Sequence, residues 1–180
     1  MPIPFLNLAA GLLAGVAVWR LGGRWLKYRG QRIVTCPENH RPAAVALDAR
    51  HAAETVFGKA PELRLKECSR WPERAGCAQE CLTEIRESGA ACLVRNIIAK
   101  WYRGKVCAAC GQPIGEIDWT GGRPALLVAD GVSVECNQIP ADKLVGTLAA
   151  ASPICFACHT ANRLIKKHPE LVTARHRDGV

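Results

Sequence analysis

The chain has 180 residues, enough for one ordinary domain or for two small modules with a tail or anchor. Apolar residues make up 49% and charged residues 22%, which excludes a disordered chain. The 24 Lys and Arg against 16 Asp and Glu leave a net charge of +8, too moderate to name nucleic acid as the partner. Ten cysteines are fewer than a disulfide-stapled mini-protein needs and too many for an ordinary core, so the chemistry is expected there.

No charged side chain occurs before Arg20, and residues 3–19 are apolar except for Asn7. Seventeen helical residues span roughly 25 Å, close to a bilayer core of about 30 Å, and continuation to Leu26 with Arg20 and Arg24 snorkelling closes the gap. Trp19, Trp25 and Tyr28 fit an interfacial aromatic belt. The run ends in Val18-Trp19-Arg20 and lacks a basic n-region, which disfavours a cleaved signal peptide. Residues 1–26 are therefore expected to be a transmembrane anchor, with a buried soluble helix as the alternative. Residues 27–32 are expected to form a basic juxtamembrane segment against anionic lipid head groups. Arg20, Arg24, Lys27, Arg29 and Arg32 all follow the span, so the expectation is a single-pass protein of the cell inner membrane with its C-terminal domain in the cytoplasm. Thiols stay reduced there, which favours metal ligands over disulfides.

Beyond the anchor the sequence predicts an α+β chain with a module at 33–104, a second at 105–168 and a basic tail at 169–180. A strand at 32–37 pairs with residues 42–47 across the turn 38–41. Asp48 caps a short helix through Ala52, Ala53 and Val56 that stops at Gly58 and Pro61. Residues 62–77 read as a charged loop around one short strand, followed by helices at 78–87 and 90–101. Leu93, Ile97 and Trp101 fall at i, i+4 and i+8, the expected core face of the second helix. A cysteine turn at 106–111 precedes a hairpin of residues 125–128 with 132–134 around Asp130-Gly131. Helices follow at 140–150, with Pro140 in the first turn, and at 160–167.

Cys107-Ala-Ala-Cys110 is followed by Gly111, and Cys155-Phe-Ala-Cys158 lies 44 residues further on. Two thiolates at i and i+3 converge on one ion when the backbone turns tightly, and Gly111 permits the positive φ such a turn needs. Two such pairs flanking a hairpin make a Cys₄ site, with Zn²⁺ as its default ion. A cysteine turn, a hairpin and a second pair at a helix start resemble zinc-ribbon and treble-clef modules over residues 106–168. That resemblance implies architecture and ligands but no shared activity. Cys155, Cys158 and His159 also spell the attachment pattern of c-type haem, with His159 as axial ligand and His168 or His176 available distally.

Cys36, Cys68, Cys77 and Cys81 form a looser second group. Cys77 and Cys81 are at i and i+4, Cys36 precedes Pro37, and Cys68 sits in a polar stretch unsuited to a core thiol. Four such ligands can take Zn²⁺ or an iron–sulfur cluster, and the alternative is that two or three of them are ordinary thiols. Cys92 is expected to be packed in its helix, and Cys136 to be a core thiol or a spare ligand. No GxxxxGK[ST], GxGxxG, HExxH or GxSxG occurs, His40, His51 and His159 pair weakly with any thiol, and Asp48 with His51 reads as a cap. Asp118-Trp119 beside Gly121 and Gly122 reads as a turn with a packed tryptophan.

The sequence thus predicts a membrane-anchored, cytosol-facing zinc-binding interaction module, non-catalytic, an accessory subunit or adaptor of a membrane complex. It predicts a protein partner rather than a nucleic acid or a small-molecule substrate. The alternative is electron transfer, through an iron–sulfur cluster at Cys36, Cys68, Cys77 and Cys81 or a haem at Cys155, Cys158 and His159.

Overall fold

The structure is a computed structural model that describes residues 3–55, 60–74, 76–120 and 122–171. It is α+β, built on two small three-stranded sheets, and the chain divides into two units, Met1–Asn96 and Ile97–Val180.

The first unit opens with α1 (Ile3–Tyr28), a helix that forms over the expected apolar run. Among the described residues no helix is long and apolar enough to cross a membrane. The charges of Arg20, Arg24 and Lys27 return every three or four residues through the second half of α1, and four glycines (Gly11, Gly15, Gly22, Gly23) dilute its hydropathy. The single-pass, inner-membrane assignment and the cytoplasmic orientation derived from it fall with that span. Arg32, expected among lipid head groups, is instead 2% exposed. Its guanidinium donates to the carbonyl oxygens of Tyr28 (2.8 Å), Lys27 (2.9 Å) and Gly30 (3.2 Å). A cation at a helix C-terminus satisfies orphan carbonyls and the negative end of the dipole together.

The helix leads into β1 (Gln31–Thr35), which pairs antiparallel with β2 (Pro42–Leu47), the hairpin expected across residues 38–41. β3 (Leu65–Cys68) adds on the far side of β2, pairing Val45 with Cys68, and a register shift between Ala46 and Leu47 sets Leu47 opposite Leu65. The outer edge of β1 is closed by other partners: Ile33 N–H donates to the Cys92 carbonyl and Thr35 N–H to Glu84 Oε2. α2 (Ala49–Glu54) starts at Asp48, whose carboxylate accepts the His51 N–H at 3.0 Å. The expected continuation to Val56 and Gly58 lies outside the described residues. α3 (Leu82–Ser88) buries Leu82 and Ile85 against the sheet core of Val34, Val45, Leu47 and Leu65. Cys81 and Cys92 belong to that core.

α4 (Val94–Tyr102) buries Ile98 and Tyr102, one position on from the expected Ile97 and Trp101. In the second unit β4 (Ala125–Leu127) lies between β5 (Ser133–Glu135) and β6 (Ser152–Ile154), antiparallel to both. Gly131, at φ +69, makes the turn between β4 and β5. Pro140 caps α5 (Ala141–Ala150), and α6 (Phe156–Lys167) follows β6 directly. Pro153 in β6 is tolerated because β6 is an edge strand, where a missing N–H removes no ladder bond. The expected tail lies, from residue 172, outside the described residues.

Candidate metal centre

Cys107, Cys110, Cys155 and Cys158 come together from two places in the second unit, with their sulfur atoms all within 4.8 Å of one another. The first pair sits on the turn after α4. Cys107 N–H donates to the Gln112 carbonyl and Gly111 N–H to the Cys107 carbonyl, both at 2.8 Å, and Gly111 takes φ +71. Ala108 N–H donates to the Pro153 carbonyl at 2.8 Å, which ties the turn to β6. The second pair begins where β6 ends: Cys155 caps α6, and Cys158 lies in its first turn. Cys155 N–H donates to Cys107 Sγ at 3.3 Å, and Cys110 Sγ stands 3.9 Å from Cys155 Sγ.

This environment favours thiolate at Cys107, which is 1% exposed. Burial pushes its thiol up, but N–H groups of Cys155, Cys110 and Ala109 aimed at the sulfur outweigh that and bring it down to about 6. Cys158 is the complement. Its S–H donates toward the sulfurs of Cys155 and Cys110, which pushes it up to about 12. Beneath the sulfurs, Ala125 and Ile154 form the apolar floor with Cys107. The buried Tyr102 hydroxyl donates to the Ala125 carbonyl, and burial pushes the Cys136 thiol beside it up to about 11. Cys136 is a core thiol and not a ligand of this cluster.

His159 turns away from the four sulfurs. It is 3% exposed, its Nδ1 lies 2.9 Å from Ser133 Oγ, and its Nε2 lies 3.7 Å from Glu135 Oε1. Glu135 also takes Arg163 at 2.7 Å and Arg123 at 3.3 Å. The histidine thus pins the ligand-bearing helix α6 to β5. Sequence reasoning missed this Ser133, Glu135, His159 and Arg163 cluster. The spacing of His159 and Arg163 at i and i+4 was a signal for one helix face, but nothing named Glu135 as its partner. His168 pairs with exposed Glu170, and His176 lies outside the described residues.

The other sequence-predicted residues are placed in the first unit. Cys36, Cys68, Cys77 and Cys81 all line one cavity of about 440 Å³. Among the described residues, only the Cys107, Cys110, Cys155 and Cys158 set has converged to metal-binding distance. Cys92 is packed, as its helix neighbours suggested, and its S–H donates to the Gly89 carbonyl. His51 lies 3.5 Å from Glu62 across the capped α2. Asp118 accepts from Thr120 N–H and Oγ–H, but Trp119 is half exposed rather than packed. All ten cysteines are free thiols, so the metal reading rests on sulfur geometry and not on cell compartment. No protein-family model, curated protein or solved structure matches this chain.

Proposed function

We propose that this chain is a zinc-stabilised, non-catalytic interaction module, acting as an adaptor or accessory subunit, with Zn²⁺ held by Cys107, Cys110, Cys155 and Cys158. The observation that carries the reading is the packing of four sulfurs within 4.8 Å. A tetrahedral ion with bonds of about 2.3 Å to sulfur spaces its ligands about 3.8 Å apart, and Cys110 and Cys155 are 3.9 Å apart already. A polynuclear cluster would hold its thiolates further from one another, around its inorganic core. The order of turn, hairpin and ligand-bearing helix supports the zinc-ribbon or treble-clef likeness.

Four protein thiolates also leave an ion no open position, whereas catalytic zinc keeps one for water or substrate. That favours a structural metal. The interaction part of the reading is supported by α6, whose Phe156, Leu164 and Ile165 are each about half exposed on the helix that the metal fixes. Metal analysis of the full chain purified under reductant tests the reading. It expects a colourless protein with zinc bound, one equivalent of which is lost in Cys110→Ser. A red or brown protein whose iron leaves with Cys110→Ser overturns it in favour of electron transfer.

A further inference from the structure

Two turns in this chain share one hydrogen-bond pattern although their sequences, Cys-Ala-Ala-Cys-Gly-Gln and Cys-Pro-Glu-Asn-His-Arg, have only the first cysteine in common. At Cys107 the cysteine N–H donates to the carbonyl five residues on, Gln112. The N–H four residues on, at Gly111, donates back to the cysteine carbonyl, and Gly111 has φ +71. The N–H groups two and three residues on, at Ala109 and Cys110, point at Cys107 Sγ. At Cys36 every part recurs. Cys36 N–H donates to the Arg41 carbonyl at 2.9 Å, and His40 N–H donates to the Cys36 carbonyl at 2.8 Å. His40 takes φ +53, and the N–H groups of Glu38 and Asn39 point at Cys36 Sγ.

A positive φ is free for Gly111 but costs His40 about 1 kcal/mol or more. A hairpin between β1 and β2 could be closed without it. What this turn adds is a pair of N–H groups aimed at one sulfur, the means by which the Cys107 turn prepares a thiolate ligand. The difference is at the fourth position, where Cys110 is replaced by Asn39, whose side chain accepts the Arg41 N–H instead. The missing sulfurs come from elsewhere. Cys68 ends β3, and Cys77 and Cys81 lie on the segment that enters α3. That segment is held to β3 by Gln79, whose Oε1 accepts the Leu65 N–H at 2.9 Å. Gln79 is the other non-glycine residue at positive φ, +58, and its own N–H points at Cys77 Sγ at 3.2 Å. Both left-handed non-glycine residues among the described residues therefore sit in segments that aim backbone N–H groups at a sulfur of this group.

We propose that Cys36, Cys68, Cys77 and Cys81 are a second metal site, which takes a single thiophilic divalent ion of the Zn²⁺ class. All four cysteines line one cavity of about 440 Å³. Arg70, whose Nη1 lies 2.8 Å from Cys36 Sγ, sets a positive charge against the excess negative charge of four thiolates around a divalent ion. Cys81 is buried and Cys36 and Cys68 are half-buried, whereas Cys77 is exposed. Cys77 is thus the ligand that closes over the ion, on the segment bent at Gln79. A single ion is assigned because the same turn at Cys107 serves sulfurs spaced for one.

The test is an anaerobic titration of the full reduced chain with Co²⁺, read by the thiolate-to-cobalt absorption, in wild type, Cys77→Ser and Cys110→Ser. Wild type is expected to take up two equivalents, and each variant to lose a different one. The affected site should weaken by on the order of 100-fold or more, since even outer partners of metal ligands are worth 10–100-fold. Cys77 is exposed and accepts the Gln79 N–H, so its replacement leaves the core intact, and an unchanged far-ultraviolet spectrum verifies this. Saturation of wild type at one equivalent that Cys110→Ser abolishes overturns the proposal, as does retention of both equivalents by Cys77→Ser. Iron with inorganic sulfide at this site overturns the single-ion assignment. One equivalent that survives Cys110→Ser but not Cys77→Ser upholds this site and refutes the one at Cys107, so the two readings fail separately.

Discussion

Chelating the metal from the second unit should lower its stability by an amount that follows from chain topology. Coordination joins residue 107 to residue 155, which are 48 residues apart in sequence. Closing a loop of that length in the unfolded chain costs about 4 kcal/mol of conformational entropy, and the bound ion confers that constraint as a disulfide would. Thiols of the unfolded chain also bind metal, which offsets part of it, so a loss of at least about 2 kcal/mol is expected on chelation. For a unit of this size that is a fall in Tm of roughly 10 °C or more. The assay is thermal unfolding of zinc-loaded and chelator-treated protein under reductant, followed by the near-ultraviolet signal, to which Trp101 and Trp119 contribute from the second unit. The same pair of scans on Cys110→Ser supplies the control. A chelation shift equally large in Cys110→Ser, or smaller than about 1 kcal/mol in wild type, refutes the cross-link argument.

Arg32→Met keeps the alkyl stem but removes three hydrogen bonds to carbonyls at the end of α1. It should cost the first unit about 2 kcal/mol in urea unfolding, against no measurable change for the exposed Arg20→Met. Metal affinity at the Cys107 site should rise with pH. Cys158, near 12, keeps its proton at neutral pH and must release it to bind, whereas Cys107, near 6, is already ionised and adds to the dependence only below that value. Competition with a calibrated chelator between pH 7 and about 8 should give at least roughly a tenfold gain per pH unit, and a flat profile there contradicts the assignment of the bound proton to Cys158.

Legibility in the sequence followed how local each cause is. Strand β1 was readable as a short apolar run stopped by Pro37, β2 as its partner across the turn, and α2 because Asp48 caps it within three residues. The CxxC pairs announced the Cys107 cluster because ligand spacing and turn geometry are both local. β6 was not readable: three residues with a central proline show no alternation, and only pairing with β4 makes them a strand. In α4, Leu93, Ile97 and Trp101 form an apolar stripe, but Val94, Ile98 and Tyr102 form another beside it. The choice between them depends on the Ala125 carbonyl that receives the Tyr102 hydroxyl, which is distant in sequence. The apolar run at the N-terminus suggested a span from its length, its basic flank and its aromatic residues, whereas among the described residues no helix is long and apolar enough to cross a membrane. The turn at 38–41 was expected, but its likeness to the Cys107 turn was hidden, since His40 occupies the position that Gly111 fills there.

The hydrogen bond from Ala108 to the Pro153 carbonyl also governs what the second sheet offers to other chains. β6 is an edge, and an edge strand with free donors and acceptors templates strand addition. Pro153 has no N–H to offer, and its carbonyl is occupied by the turn that carries Cys107 and Cys110. A metal at the proposed site would therefore guard the sheet against self-association as well as hold its ligands. Loss of the ion would loosen the turn, uncover that carbonyl, and leave proline as the remaining protection of the edge.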